Sequence, residues 1–236
     1  MDLPLGPAIG QCCGGHVRLR LERAGASALA EVERAERAEH DSLPPILLFG
    51  AGHVGKAIAQ ALAPLPLRLT WIDSRADEFP EAIPGGVTRF VTADPLSRVA
   101  MAEPGAAFLI LTHDHALDFD LAAAALERGD ALYVGLIGSR TKRSKFERLY
   151  MARGGKPGDL GRLVCPIGAG LTRDKRPPVI AAMVAAELLI TIDGVANITV
   201  PAAVRETRSR PDCLHHPAGC GTCPDAAMKP RLRRVG

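Results

Sequence analysis

At 236 residues, of which 47% are hydrophobic, the chain carries enough apolar surface for a substantial core, which excludes disorder throughout and fits one domain, alone or with an appendage. Its 29 basic and 26 acidic residues leave a formal charge of +3, and an aromatic content of 4% supplies few stacking platforms, so no nucleic-acid partner is expected. No basic segment precedes an apolar run at the N-terminus, and the longest apolar stretch, 179–192, contains Glu187, so a cytoplasmic chain with no membrane partner is expected.

The first feature along the chain is a vicinal thiol pair, Cys12 and Cys13, followed by Gly14 and Gly15. Adjacent cysteines are awkward partners for an unstrained disulfide with each other, and the two glycines let a backbone or ligand come close. The pair reads as a reactive or ligand-binding thiol site, against the alternative of two small residues packed in a turn. Six cysteines in a cytoplasmic chain of this size suit thiols, thiolates or metal ligands better than a disulfide framework. Val17, Leu19 and Leu21 alternate with His16, Arg18 and Arg20, the period of a half-buried strand. Residues 28–40, rich in Ala, Glu and Arg, predict a solvated helix that Pro44 and Pro45 end, which places a boundary near residue 43.

From there short apolar runs alternate with helical stretches. Strands are expected over 46–49, 67–72, 88–92, 107–112 and 131–137, and helices over 53–63, 117–128, 141–152 and 177–191. Such alternation argues for an α/β fold, a Rossmann-like doubly wound parallel sheet covered on both faces, with the Cys-Cys motif in a small segment ahead of it. The expected divisions are 1–43, 44–200 and a Pro-, Arg- and Cys-containing tail, 201–236.

Gly50, Gly52 and Gly55 follow one predicted strand and open a helix, and Asp73 lies 18 residues past Gly55 at the end of the next strand. Glycines there permit a tight turn and the approach of a phosphate to the helix N-terminus, and an acid at the second strand end would bind a ribose diol. Dinucleotide binding and a fold that merely keeps the turn both remain open on this pattern. His53, between the glycines, would touch the ligand or cap its helix. At a second strand-to-helix junction, Gly138-Ser139-Arg140, backbone N–H groups, a hydroxyl and a guanidinium could converge on an anion, with Lys142 and Arg143 adding charge; the alternative is a solvated basic surface. Thr112-His113-Asp114-His115, with Asp118 and Asp120, falls at the carboxyl end of a central strand. It suits contact with a polar ligand, a divalent metal, or only a capped turn. Cys165, in a Cys-Pro-Ile-Gly turn, could reach the same pocket or be structural. In the tail, Cys213, His216, Cys220 and Cys223 lie within eleven residues and could wrap a zinc ion.

Six motifs in order, Gly10-Gln11-Cys12-Cys13-Gly14-Gly15, Phe49-Gly50-Ala51-Gly52-His53-Val54-Gly55, Asp73-Ser74-Arg75, Leu111-Thr112-His113-Asp114-His115 with Asp118, Gly135-Leu136-Ile137-Gly138-Ser139-Arg140, and Cys165-Pro166-Ile167-Gly168, resemble the XdhC/CoxI family. Its members are accessory proteins in the maturation of molybdenum hydroxylases such as xanthine dehydrogenase. Two departures accompany the resemblance: family members carry a further segment ahead of the paired cysteines, and residues 169–176 stray from the family's form. The resemblance implies a chaperone rather than an enzyme, with no catalytic residue of its own. It would bind the pterin-based molybdenum cofactor (molybdopterin) while a cysteine desulfurase exchanges an oxo ligand for sulfur, then deliver it to an apo molybdenum hydroxylase. Cofactor biosynthesis proteins would be further partners, and a homodimer stays open. Gly50, Gly52, Gly55, Ser139 and Arg140 would hold the anionic end, Cys12 and Cys13 would face the metal, and His53, Asp73, His113 and Asp114 complete the expected contacts. The rival reading is an NAD(P)-dependent oxidoreductase, favoured by the fingerprint and Asp73 and weakened by the lack of a clear acid and base set for hydride transfer. A thiol- or zinc-dependent regulatory module built on residues 213–223 is a third.

Overall fold

Between residues 45 and 164 the short apolar runs become strands, and these assemble in parallel. The computed structural model describes residues 2–5, 15–21, 23–169 and 174–199. Cys12, Cys13 and the tail cluster of Cys213, His216, Cys220 and Cys223 lie outside the described residues. Two units divide the chain, 1–193 and 194–236. The sheet lies in the first, and the described part of the second is the last stretch of a helix, 194–199.

The N-terminal strands β1 (Asp2–Leu5) and β2 (Gly15–Arg18) form an antiparallel pair. Helix α1 (Ala26–Ser42) follows and buries no residue. It rests on alanine-rich helix propensity and on local contacts such as the Arg37–Glu33 pair at 3.4 Å. The alternation of Val17, Leu19 and Leu21 predicts a strand reaching residue 21 with one face covered. The strand instead ends at Arg18, and all three side chains are exposed.

The main sheet comprises β3 (Pro45–Phe49), β4 (Arg68–Asp73), β5 (Val87–Val91), β6 (Ala107–Ile110), β7 (Tyr133–Leu136) and the short β8 (Leu163–Val164). All neighbours pair in parallel, in the order β5-β4-β3-β6-β7-β8. Counted from β3 this is 3-2-1-4-5-6, the dinucleotide-fold order, with its switch point between β3 and β6. The helices are α2 (His53–Leu62), α3 (Pro95–Ala100), α4 (His115–Glu127), α5 (Arg140–Ala152) and α6 (Pro177–Thr199).

The period-two alternation of a strand divides the core in two. Ile46, Leu48, Leu69, Trp71 and Leu109 point to the face covered by α2 and α6, where they meet Ile58, Leu62, Val184 and Leu188. Leu47, Phe49, Ile72, Phe108, Ile110 and Leu136 point to the other face and meet Phe119, Leu126, Phe146 and Tyr150 of α4 and α5. Within α6 the window Pro177–Gly194 is long and apolar enough to cross a membrane by length and composition. Its stripe Ala181, Val184 and Leu188 is buried in the first core. Glu187, the charge that interrupts it, accepts hydrogen bonds from the Tyr133 hydroxyl at 2.8 Å and the Gly168 N–H at 3.0 Å. The helix is thus pinned to β7 and to the turn after β8. Helix α3 and strand β8 are too short for the periodicity to announce, and β1 contains Pro4, which weakens any strand signal.

Candidate ligand-binding crevice

The carboxyl ends of β3, β4, β6 and β7 carry the residues singled out in the sequence, so the topology brings four separate motifs to one edge of the sheet. At the first, the β3 to α2 turn requires glycine for reasons internal to the protein. Gly50 has φ +119°, and a Cβ there would stand 2.2 Å from the Leu111 carbonyl oxygen. A Cβ on Gly55 would stand 2.0 Å from the carbonyl oxygen of Gly50. The Trp71 indole N–H donates to that same oxygen at 2.9 Å, fixing the turn against β4. Gly52 differs. It has an ordinary extended backbone, φ −69° and ψ −174°, and a Cβ there would meet nothing within 4 Å. Among the described residues no atom requires glycine at this position, and they leave the space before the α2 N-terminus open. His53, the first residue of α2, is exposed.

Asp73 ends β4, and only 6% of it is exposed, which removes the bland alternative of a solvated strand-end carboxylate. Its Oδ2 accepts from the Ala51 N–H at 2.7 Å and Arg75 Nη2 at 3.0 Å, and its Oδ1 from the Arg75 N–H at 2.9 Å and Arg75 Nε at 3.1 Å. Burial pushes this carboxyl's pKa up, but the hydrogen bonds from Arg75 and Ala51 outweigh it and hold the group below the usual carboxylate range. Arg75 in turn reaches Glu78 Oε1 through Nη1 at 3.1 Å. The sequence places Asp73 and Arg75 in one motif without revealing that the second would grip the first.

Beyond β6, Thr112 and Asp114 build a tight turn. The Thr112 hydroxyl accepts from the Asp114 N–H at 3.2 Å, and Asp114 caps α4 by accepting from the Ala116 N–H at 2.7 Å. His113 beside them is exposed. Among the described residues no group of three or more His, Cys, Asp or Glu side chains converges as a metal site. Asp118, one turn into α4, is fully buried. It accepts from both the N–H and the hydroxyl of Thr112 at 2.8 Å, and from Lys142 Nζ at 2.6 Å.

That last contact corrects the expectation of excess positive charge at the start of α5. Lys142, whose side chain is only 11% exposed, neutralises Asp118. Arg143 pairs with Glu147 at 2.7 Å and donates to the carbonyls of Leu163 and Leu160. Ser139 caps the helix by accepting from the Lys142 N–H at 3.2 Å. Of the three cations only Arg140 is exposed with no hydrogen-bond or ion-pair partner among the described residues. Successive helical positions turn by about 100°, which sends neighbours in sequence to different surroundings. Cys165 is buried in the core beside β7, and burial pushes its thiol pKa up despite the nearby Lys142 and Arg143. That favours the structural alternative for this residue over a reactive one.

The comparisons agree with this architecture. Residues 46–188 match the XdhC Rossmann domain. An uncharacterized protein of Escherichia coli K12, YqeB, is 30% identical over 154 residues, which is 64% of this chain and 28% of that protein. Among solved structures, a xanthine dehydrogenase from Bacillus halodurans shares the fold with a TM-score of 0.55 at 23% identity, over 67% of this chain and 45% of the other. The chain therefore spans less than half the length of either relative. With its Rossmann domain matched over more than half its length, the chain belongs to the XdhC family.

Proposed function

We propose that this chain is an accessory protein of a xanthine dehydrogenase-type enzyme, and that it holds the pterin-based molybdenum cofactor at the carboxyl edge of its sheet until delivery to the apo enzyme. The observation that carries this reading is the pairing of an open glycine with a cation that has no partner among the described residues, along one edge: Gly52 before α2 and Arg140 at the start of α5. β3 and β7 flank β6, so these two positions are separated by two strand spacings, about 10 Å. The donor set fits a phosphate-bearing ligand lying across the crevice. The N–H groups of the first turn of α2 face the open space, and Arg140 supplies a charge-assisted contact. Family membership supports an accessory role.

When bound, the cofactor supplies the molybdenum centre. The chain's own residues have simpler tasks. Gly50 and Gly55 keep the turn in shape, Gly52 leaves room for the anionic end, Arg140 neutralises it, and exposed His53 and His113 border the opening. Cys12 and Cys13 are the proposed contacts at the metal end, where a soft thiolate suits a sulfur-bearing centre. A cysteine desulfurase acting on the held cofactor, and cofactor biosynthesis proteins that hand it over, complete the scheme.

Elemental and mass analysis of protein purified from a cofactor-producing host tests it. Stoichiometric pterin with molybdenum is expected, and a bound nicotinamide nucleotide in its place overturns the reading. Arg140→Ala should lower cofactor affinity by roughly tenfold to a hundredfold and leave the unfolding free energy within about 0.5 kcal/mol of wild type. A fall in melting temperature with unchanged affinity would make Arg140 structural.

A further inference from the structure

Asp73 occupies the place where a dinucleotide-binding sheet presents its acceptor for a ribose diol, yet its acceptor capacity is already filled. A carboxylate offers about four lone-pair sites, and Asp73 receives four donors, one from Ala51 and three from Arg75. The Arg75 side chain lies against both carboxylate oxygens, and Glu78 holds its remaining arm at 3.1 Å. Glu78 is itself held from the other side by Lys56 at 3.8 Å. A second observation concerns exposure: the Asp73 side chain is 3% exposed and that of Arg75 34%, so the guanidinium lies between the carboxylate and solvent.

We infer that Arg75 is a specificity-determining residue, whose guanidinium closes the ribose-diol position at the end of β4 and makes the crevice reject dinucleotides that carry a free 2′,3′-diol. A ligand with no adenosine ribose at this point meets no such barrier. The glycine loop can then serve an anion without also serving the abundant nicotinamide nucleotides. The inference rests on the crevice being the ligand site, as proposed above, and not on which ligand fills it.

ADP-ribose is the probe, titrated by calorimetry into the full chain as wild type, Arg75→Ala, and the double variant Arg75→Ala with Asp73→Asn. Arg75→Ala should bind ADP-ribose at least tenfold more tightly than wild type, and the double variant should lose most of that gain because an amide offers one neutral acceptor oxygen where the carboxylate offers two charged ones. A merely structural role for Arg75 would not produce a gain that depends on Asp73. Should the alanine variant unfold, Arg75→Gln, which leaves Asp73 a single side-chain donor, reads the same direction at smaller amplitude. Equal affinity in wild type and variants, or binding by none of them, overturns the inference. Tighter binding of 2′-phospho-ADP-ribose by wild type than by Arg75→Ala also overturns it, since Arg75 would then read a phosphate rather than exclude a diol. Pterin content is measured separately: wild type that binds ADP-ribose yet purifies with pterin sinks the exclusion alone, and pterin-free wild type that rejects ADP-ribose sinks only the cofactor reading.

Discussion

The β3 to α2 and β7 to α5 junctions share a pattern, an apolar strand running into glycine and then a helix, and they use it in different ways. At the first, Gly50 and Gly55 leave no space for a side chain because backbone oxygens stand 2.2 and 2.0 Å from where a Cβ would be. At the second, a Cβ on Gly138 would first meet the Lys142 side chain, at 2.6 Å, rather than backbone. Charge is distributed the opposite way. The acid behind the first junction is saturated by Arg75, whereas the second leaves Arg140 exposed to solvent after Lys142 and Arg143 are taken by protein partners. One junction is a rigid frame and the other is a source of charge, so a ligand across both would be shaped by the first and attracted by the second.

The largest expected effect comes from the buried pair that joins α4 to the second junction. Asp118→Ala leaves Lys142 with an uncompensated buried charge and should cost about 3–5 kcal/mol in denaturant unfolding. A loss below about 1 kcal/mol would mean that Lys142 finds another partner, and that this junction is less fixed than the pair implies. Next comes the frame's acid. Asp73→Asn should cost about 1.5–3 kcal/mol at neutral pH, and the difference from wild type should depend on pH. The folded pKa lies below the unfolded reference of 3.8, so the carboxylate's contribution is fully present above that reference and disappears as pH falls through the folded value. Wild type and Asp73→Asn should therefore converge in acid, and a gap that stays constant from neutral pH into that range would rule out ionisation as its source. The smallest effects separate glycine from glycine. Gly55→Ala should cost about 1–3 kcal/mol through overpacking, whereas Gly52→Ala should change stability by less than about 0.5 kcal/mol. Equal losses at the two positions would remove the distinction between a frame glycine and a ligand glycine.

Much of this was legible in the sequence from residue 45 onward, because each central strand is a run such as Ile46-Leu47-Leu48-Phe49 bounded by Pro or Gly, and turn chemistry is local. The same logic located Gly50, Gly52 and Gly55. Contacts that arise from folding in three dimensions were not legible. Asp118 and Lys142 are 24 residues apart, and only the parallel order of β6 and β7 brings their helices side by side. The grip of Arg75 on Asp73 spans two residues, yet it depends on a side-chain direction that Glu78 helps to fix. Val17, Leu19 and Leu21 show the converse failure: alternation marks a strand with one face apolar but does not supply the layer that would bury it.

Helix α1 has a kinetic consequence. It is 17 residues long and buries none of them, so its amides rely on its own hydrogen-bond ladder, and it is only a little longer than the roughly 12–15 residues below which an isolated helix is marginal in water. Its amide protons should exchange with deuterium close to the rate of an unstructured peptide, while those of β3 and β6 wait for global opening. A protease offered the native chain should cut within 26–42 long before it reaches the sheet, releasing a fragment in which the parallel strands and the crevice persist.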